Sequence, residues 1–167
     1  MCDGDDREAV VDPSTDFGGK FLSALEAESH SAHYRFIIHY GTSFRPTDLP
    51  SGVTPGKERC CAWNSFHLAR ENPESYSYYE GLATHISASP GWPISHAWCV
   101  DPAGHVVDRT WVAEKIKPLA YRGVPLPLEV IRECIVEESA GFLDAQGTFA
   151  MFNDDIQRMA QFLGLGE

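Results

Sequence analysis

The chain lacks any long apolar run. Nothing in it approaches the roughly 18 consecutive apolar residues that a membrane-spanning helix needs, so no membrane partner is expected. Basic residues are also few, 13 Lys and Arg against 24 Asp and Glu, for a net charge of −11. A phosphate backbone is bound by clustered Lys and Arg, so no nucleic-acid partner is expected and the overall field favours cationic or neutral partners. The pattern Gly-x-x-x-x-Gly-Lys-Ser/Thr does not occur, which leaves out the phosphate-cradling loop. No Pro-Cys-x-x-Cys follows a His-x-Glu, which leaves out the zinc deaminases. The opening Met-Cys-Asp-Gly-Asp-Asp is acidic with no apolar run behind it, so a secretory signal is not expected.

Cysteine is present in an odd number: Cys2, Cys60, Cys61, Cys99 and Cys134. Without a secretory signal these read as reduced thiols in a cytoplasmic protein rather than a disulfide scaffold. With 43% apolar and 22% charged residues over 167 positions, the composition is that of one globular domain able to bury its own core. Residues 1–16 read as a flexible acidic lead-in and 17–167 as a single domain.

Phe17, Phe21, Leu22 and Leu25 fall at helical spacing and predict a helix to about Ser31. The aromatic and β-branched run Tyr34–Tyr40 predicts a strand, and three prolines with three glycines between Gly41 and Gly56 predict a loop. Ala62, Phe66 and Ala69 predict a helix from about Cys60 to Arg70, closed by Asn72-Pro73. Strands are predicted over Tyr76–His85, His96–Asp101 and His105–Trp111, the last two joined by the turn Asp101-Pro-Ala-Gly104. Two helices close the chain, one over Leu128–Ser139 and one capped by Asn153 or Asp154 with Ile156, Met159, Ala160 and Leu163 as its apolar stripe. The expected class is α+β.

Three residues carry the chemistry. A helix start favours a thiolate through its unpaired N–H groups, and Cys61 stands in the first turn of a predicted helix behind a glycine-containing loop. Cys60 and Cys61 equally fit two small buried residues, since free cysteine is often interior. His96 begins a strand directly after the loop Ser89–Ser95, where an imidazole can face a cleft or simply sit at the surface. Asp108 lies across the Pro-Ala-Gly turn. A hairpin centred near Ala103 sets His96 opposite 109 and Asp108 opposite 97, within reach for Nδ1–H to meet the carboxylate. Asp108 could there orient the imidazole, or merely cap the turn before Arg109-Thr-Trp. A metal reading competes, because Cys60, Cys61, His96 and Cys99 are all ligand types. Adjacent cysteines present poorly to one tetrahedral ion, however, and Cys99 should point to the strand face opposite His96, so no metal is expected.

The segments Cys61-x-x-Asn64, Tyr79-Glu-Gly81, His96-Ala-Trp98, Val-Asp101-x-x-Gly104, Val107-Asp108-x-Thr-Trp111 and Tyr121-x-Gly-Val124 together resemble a set of small transglutaminase-like proteins of bacteria and their phages, within the papain superfamily. The resemblance spans roughly residues 57–126, with Arg109 standing where such proteins often have proline. It implies a transglutaminase-like, papain-like core: a nucleophile helix packed on a small antiparallel sheet, with flanking helices. It also implies a Cys-His-Asp triad of Cys61, His96 and Asp108, with Cys61 preferred to Cys60 because Asn64 then stands three residues on. The implied activity is acyl transfer through a thioester, by a hydrolase, deamidase or transglutaminase-type enzyme acting on a peptide, protein or small amide without a cofactor. The backbone N–H of Cys61 is the first expected oxyanion donor. Asn64, Tyr79, Glu80, Trp92 and Trp98 are the candidate substrate-binding residues, each of the aromatics serving equally as core. The alternative is a catalytically silent binding module on the same fold.

Overall fold

A computed structural model describes residues 13–87, 92–132, 141–143 and 148–165, the side chains from residue 19 onward. Helix α1 (Pro13–Ala27) and α2 (Ala32–Tyr40) are followed by strand β1 (Thr42–Phe44), then α3 (Cys61–Glu71), β2 (Ser77–His85), β3 (Ile94–Val100), β4 (Val106–Val107) and α4 (Arg109–Ala113). Strand β5 (Pro118–Pro125), α5 (Leu128–Ile131), a 3-10 turn at Ala150–Phe152 and α6 (Ile156–Phe162) complete the order. The five strands form one antiparallel sheet, β1-β5-β2-β3-β4, so the class is α+β.

Side chains alternate across the sheet, and each face builds its own core. Tyr78, Leu82, Ala97, Cys99, Ala120 and Val124 pack against the helices through Phe21, Leu25, Phe36, Ile37, Phe66 and Met159. On the other face Ala83, Trp98, Val100, Val106 and Tyr121 pack with Trp111 of α4. Gly81 and Gly123 stand opposite each other in β2 and β5, and a Cβ on Gly123 would lie 2.6 Å from the Trp98 ring. Only glycine lets the indole lie flat there.

Several expectations need correction. Tyr34–Tyr40 is helix, not strand: Ala32, Phe36 and Ile37 are buried at helical spacing, and the rings of Phe36 and Tyr40 meet one turn apart at 5.2 Å. Arg122 of β5 secures the end of that helix by donating from Nε to the Ile37 carbonyl at 3.1 Å and from Nη2 to the Ile38 carbonyl at 2.6 Å. Both carbonyls belong to the last turn; that of Ile37 also accepts the Gly41 N–H at 3.0 Å, and Arg122 adds its bonds from far along the chain. Helix α1 begins at Pro13, inside the expected lead-in, whose residues 1–12 lie outside the described set. The loop 41–56 contains the short strand β1. The segment His105–Trp111 stays extended only over Val106–Val107 and then turns into α4. In the last helix Asp155 is the cap, accepting from the N–H groups of Gln157 and Arg158, while Asn153 and Asp154 adopt left-handed backbone before it. The expected helix to Ser139 is present as Leu128–Ile131, with 133–140, including Cys134, outside the described residues, as is Cys2. No described helix is long and apolar enough to cross a membrane.

Candidate active site

Cys61 is the first residue of α3, Cys60 its N-cap position. The two thiols part there: Cys60 is buried, and Cys61 retains partial access to solvent. Position N1 of a helix makes no intrahelical N–H bond, so the Cys61 amide is of the kind that can donate outward. The loop ahead of α3 is fastened to the start of α4. Gly56 N–H donates to the Arg109 carbonyl at 2.9 Å, and Arg109 Nε returns a bond to the Thr54 carbonyl at 2.8 Å. Asn64, buried on α3, completes the clasp. Its Oδ1 accepts from Lys57 N–H, and its Nδ2 donates to the Lys57 carbonyl and to Thr110 Oγ1 at 2.7 Å.

His96 is the third residue of β3. Strand β4 pairs only with Cys99 and Val100, which leaves the His96 half of β3 without a strand neighbour on that side among the described residues. The pairs Cys99–Val107 and Val100–Val106 differ by one residue from the expected register, and the strand ends at Val107. Asp108 reaches the imidazole nonetheless, by leaving the strand and capping α4. Its Oδ1 accepts from the N–H groups of Thr110 and Trp111 at 3.0 and 3.1 Å. Its Oδ2 lies 2.7 Å from His96 Nε2. The two readings of Asp108, cap and orienting carboxylate, therefore coexist, one on each oxygen. The nitrogen is Nε2 rather than the expected Nδ1, so Nδ1 is the ring nitrogen left for another partner.

Cys61 is the other ionisable group that acts on this imidazole, in the same sense as Asp108. Burial alone would strip His96 of its proton, but the charge and hydrogen bond of Asp108, reinforced by Cys61, overcome it and hold the imidazole up at about 10. For Asp108, burial opposes ionisation and the facing imidazolium outweighs it, with help from the Trp111 N–H and Tyr121 O–H, so its carboxyl lies below the usual range. The ring is sandwiched as well as bonded: Trp111 stacks on His96 at 4.1 Å between centroids and 17° between planes. An aromatic face against a charged imidazole adds a favourable quadrupole contact.

The candidate substrate residues separate. Trp92 is 59% exposed and Tyr79 half-buried, Tyr79 meeting Phe44 edge-on at 5.2 Å. Asn64, Glu80 and Trp98, also expected at the substrate, are interior. Asn64 is consumed by the clasp. Glu80 faces the helix side of the sheet, where its Oε1 accepts from Tyr78 O–H and Phe142 N–H and its Oε2 from Leu143 N–H. Trp98 has no exposure at all. A cavity of about 560 Å³ lies against Asp108, Trp111 and Tyr121, with Asp48, Lys115 and Lys117 also lining it; Cys61 and His96 do not line it.

Cys99 is turned from the site: its thiol donates to the Ser65 carbonyl at 3.1 Å, and burial pushes it up to about 12. The four residues of the metal reading are thereby split between two faces of the sheet. Sequence reasoning gave no role to Tyr121, Trp111 or Thr110, which complete the surroundings of Asp108. Tyr121 comes from a strand whose closeness to Asp108 follows only from sheet order.

Compared with known proteins, the chain matches no family model, no curated protein and no solved structure.

Proposed function

We propose that the chain is a cysteine-dependent acyl-transfer enzyme with a transglutaminase-like, papain-like core, in which Cys61 is the nucleophile, His96 the proton carrier and Asp108 the orienting carboxylate. One observation carries the reading: a buried His96–Asp108 pair at 2.7 Å, with the partly accessible thiol of a helix start acting on the same imidazole. An imidazole buried with one carboxylate and one thiol has the parts needed to take a proton and keep it.

The thiol proton passes from Cys61 Sγ to His96 Nδ1, and Asp108 stabilises the imidazolium on Nε2. The sulfur attacks a substrate carbonyl carbon, forming a C–S bond while the carbonyl electrons move to oxygen. The Cys61 N–H is placed at the helix start to donate to that oxygen. Collapse breaks the carbon–nitrogen bond, and the leaving amine takes the proton from His96. An acceptor, water or an amine, then gives a proton to His96, attacks the thioester and releases the sulfur. The same His96 serves in both halves, as acid and then as base.

The test is intact mass spectrometry after treatment with a panel of carbon electrophiles, with mapping of the labelled residue. Cys61 carries the adduct, Cys60→Ser leaves labelling intact, Cys61→Ala abolishes it, and His96→Ala slows it by about tenfold or more. Labelling on Cys60 in preference to Cys61, or Cys61 labelling indifferent to His96, would leave a silent binding module on the same fold.

A further inference from the structure

Asp108 has no acceptor position left over. A carboxylate offers about four lone-pair directions, and Oδ1 uses two on Thr110 N–H and Trp111 N–H. Oδ2 uses two more, on His96 Nε2 at 2.7 Å and on the hydroxyl of Tyr121 at 3.0 Å. The two donors on Oδ2 come from β3 and β5, separate strands of one sheet. Tyr121 is buried to 1% exposure, its ring 5.0 Å from that of Trp98 and 5.6 Å from that of Trp111. A phenylalanine would fill that space as well. Burying a hydroxyl is costly unless it is bonded, and the bond Tyr121 makes is to the carboxylate that holds His96.

We infer that Tyr121 is a positioning residue of the proposed site: its hydroxyl fixes the tilt of the Asp108 carboxylate and shares Oδ2 with His96, and so sets the direction in which His96 Nδ1 meets Cys61. The inference rests on the acyl-transfer reading for its chemical consequence and on the hydrogen bonds alone for its geometry. Tyr121 acts through Asp108 and touches neither Cys61 nor substrate in this scheme. Besides Tyr121 itself, whose ring centroid lies 6.3 Å from that of His96, the titratable groups facing the imidazole are Asp108 from the head of α4 and Cys61 from the head of α3, with His85 on β2 one ring further out, 5.3 Å from Trp111. Two donors on one oxygen divide its charge. Removing the phenolic donor therefore leaves more of Oδ2 to His96 while letting the carboxylate rotate.

The experiment uses the whole chain with isotope-labelled histidine, following the His96 ring by NMR across pH, together with electrophile labelling of Cys61. In Tyr121→Phe the His96 midpoint rises by roughly half a pH unit, and Cys61 labels about tenfold more slowly because the imidazole is misdirected. In a protein carrying 3-fluorotyrosine at 121, whose hydroxyl is a stronger donor, the midpoint moves down instead. The fluorinated form keeps the buried ring and reports even where the Phe variant folds poorly. A His96 midpoint that stays fixed in both forms overturns the inference. The NMR readout is independent of reactivity: should Cys61 of the parent fail to label while the two substitutions still move His96 in opposite directions, the enzymatic reading falls and the positioning role of Tyr121 stands.

Discussion

Asp108 Oδ2 and His96 Nε2 lie 2.7 Å apart with both side chains sealed from solvent, Asp108 at 6% and His96 at 3% side-chain exposure. Such a pair is costly to desolvate and depends on the extra bonds around it. Those bonds come from a helix start, Thr110 and Trp111, and from Tyr121 on β5. The carboxylate thus joins the end of the β3–β4 hairpin, α4 and strand β5 at one point.

Asp108→Asn separates the two duties of that carboxylate. An Asn oxygen still caps α4, so the fold should persist with a stability loss of about 1–3 kcal/mol. The amide cannot hold an imidazolium, and labelling of Cys61 should fall by about 10²–10⁴-fold. Thermal denaturation and electrophile kinetics on the same preparation read the two effects. Asp108→Ala removes the cap as well and should be less stable than the Asn form by about a further 1 kcal/mol.

The raised His96 gives the folded state a pH dependence whose sign follows from linkage. The imidazole moves from 6.5 to about 10 on folding, so its contribution is full below about 6.5, declines through the window up to about 10 and is gone above it. Asp108, held below the ordinary carboxylate range, keeps its own contribution until pH falls beneath that range. The stability difference between the parent and His96→Gln should therefore shrink steadily from pH 7 to pH 10, by a few kcal/mol at most. Urea titrations at several pH values measure it, since Gln does not titrate. A difference that stays flat over this window would place the imidazole in its neutral form.

Much of the site was readable in the chain, for local reasons. The apolar spacing that starts a helix beside Cys61 and the Asp-Pro-Ala-Gly turn that returns β4 along β3 are short-range signals: the helix forms within a residue of its expected bounds, and the turn brings β4 back one residue from the expected register, although the strand then keeps only Val106–Val107. Helix α2 was not readable because its residues favour strands in isolation. It is helical because Phe36 and Ile37 find a core on one side and Arg122 closes its end. Strand β5 was hidden by Pro118, Arg122, Gly123 and Pro125, which break the alternation that marks a strand. Tyr121 went without a role for the same reason: its hydroxyl reaches Asp108 only through the order of strands.

Asn64 was expected at the substrate, and its bonds lead elsewhere. It joins Lys57, ahead of Cys61, to Thr110, next to Asp108. Asn64→Ala removes all three of these bonds, which should cost about 2–4 kcal/mol. The loop that presents Cys61 should loosen with it. Hydrogen exchange at Gly56 and Lys57 should quicken while the sheet amides stay protected. A substrate-contacting residue would instead change affinity and leave those amides alone.

Glu80 offers the last separation, between charge and shape. It is buried to 3% exposure and collects the hydroxyl of Tyr78 with the amides of Phe142 and Leu143, which ties residues 141–143 to the middle of the sheet. Gly141 leaves room for it, since a Cβ there would lie 2.6 Å from the carboxylate. Glu80→Ala strands those three donors in the interior and should cost roughly 3–5 kcal/mol. Glu80→Gln keeps the shape but turns one acceptor into a donor aimed at another donor. It should therefore also release Phe142 and Leu143 to exchange, with a smaller loss of stability. If the Gln form instead keeps both amides protected, the tether is one of packing, and the negative charge between Tyr78 and this segment is dispensable. Because Cys61 and Glu80 both act electrostatically on Tyr78, Cys61 labelling in the Gln form is the further readout: an unchanged rate shows that the tether and the thiol work independently.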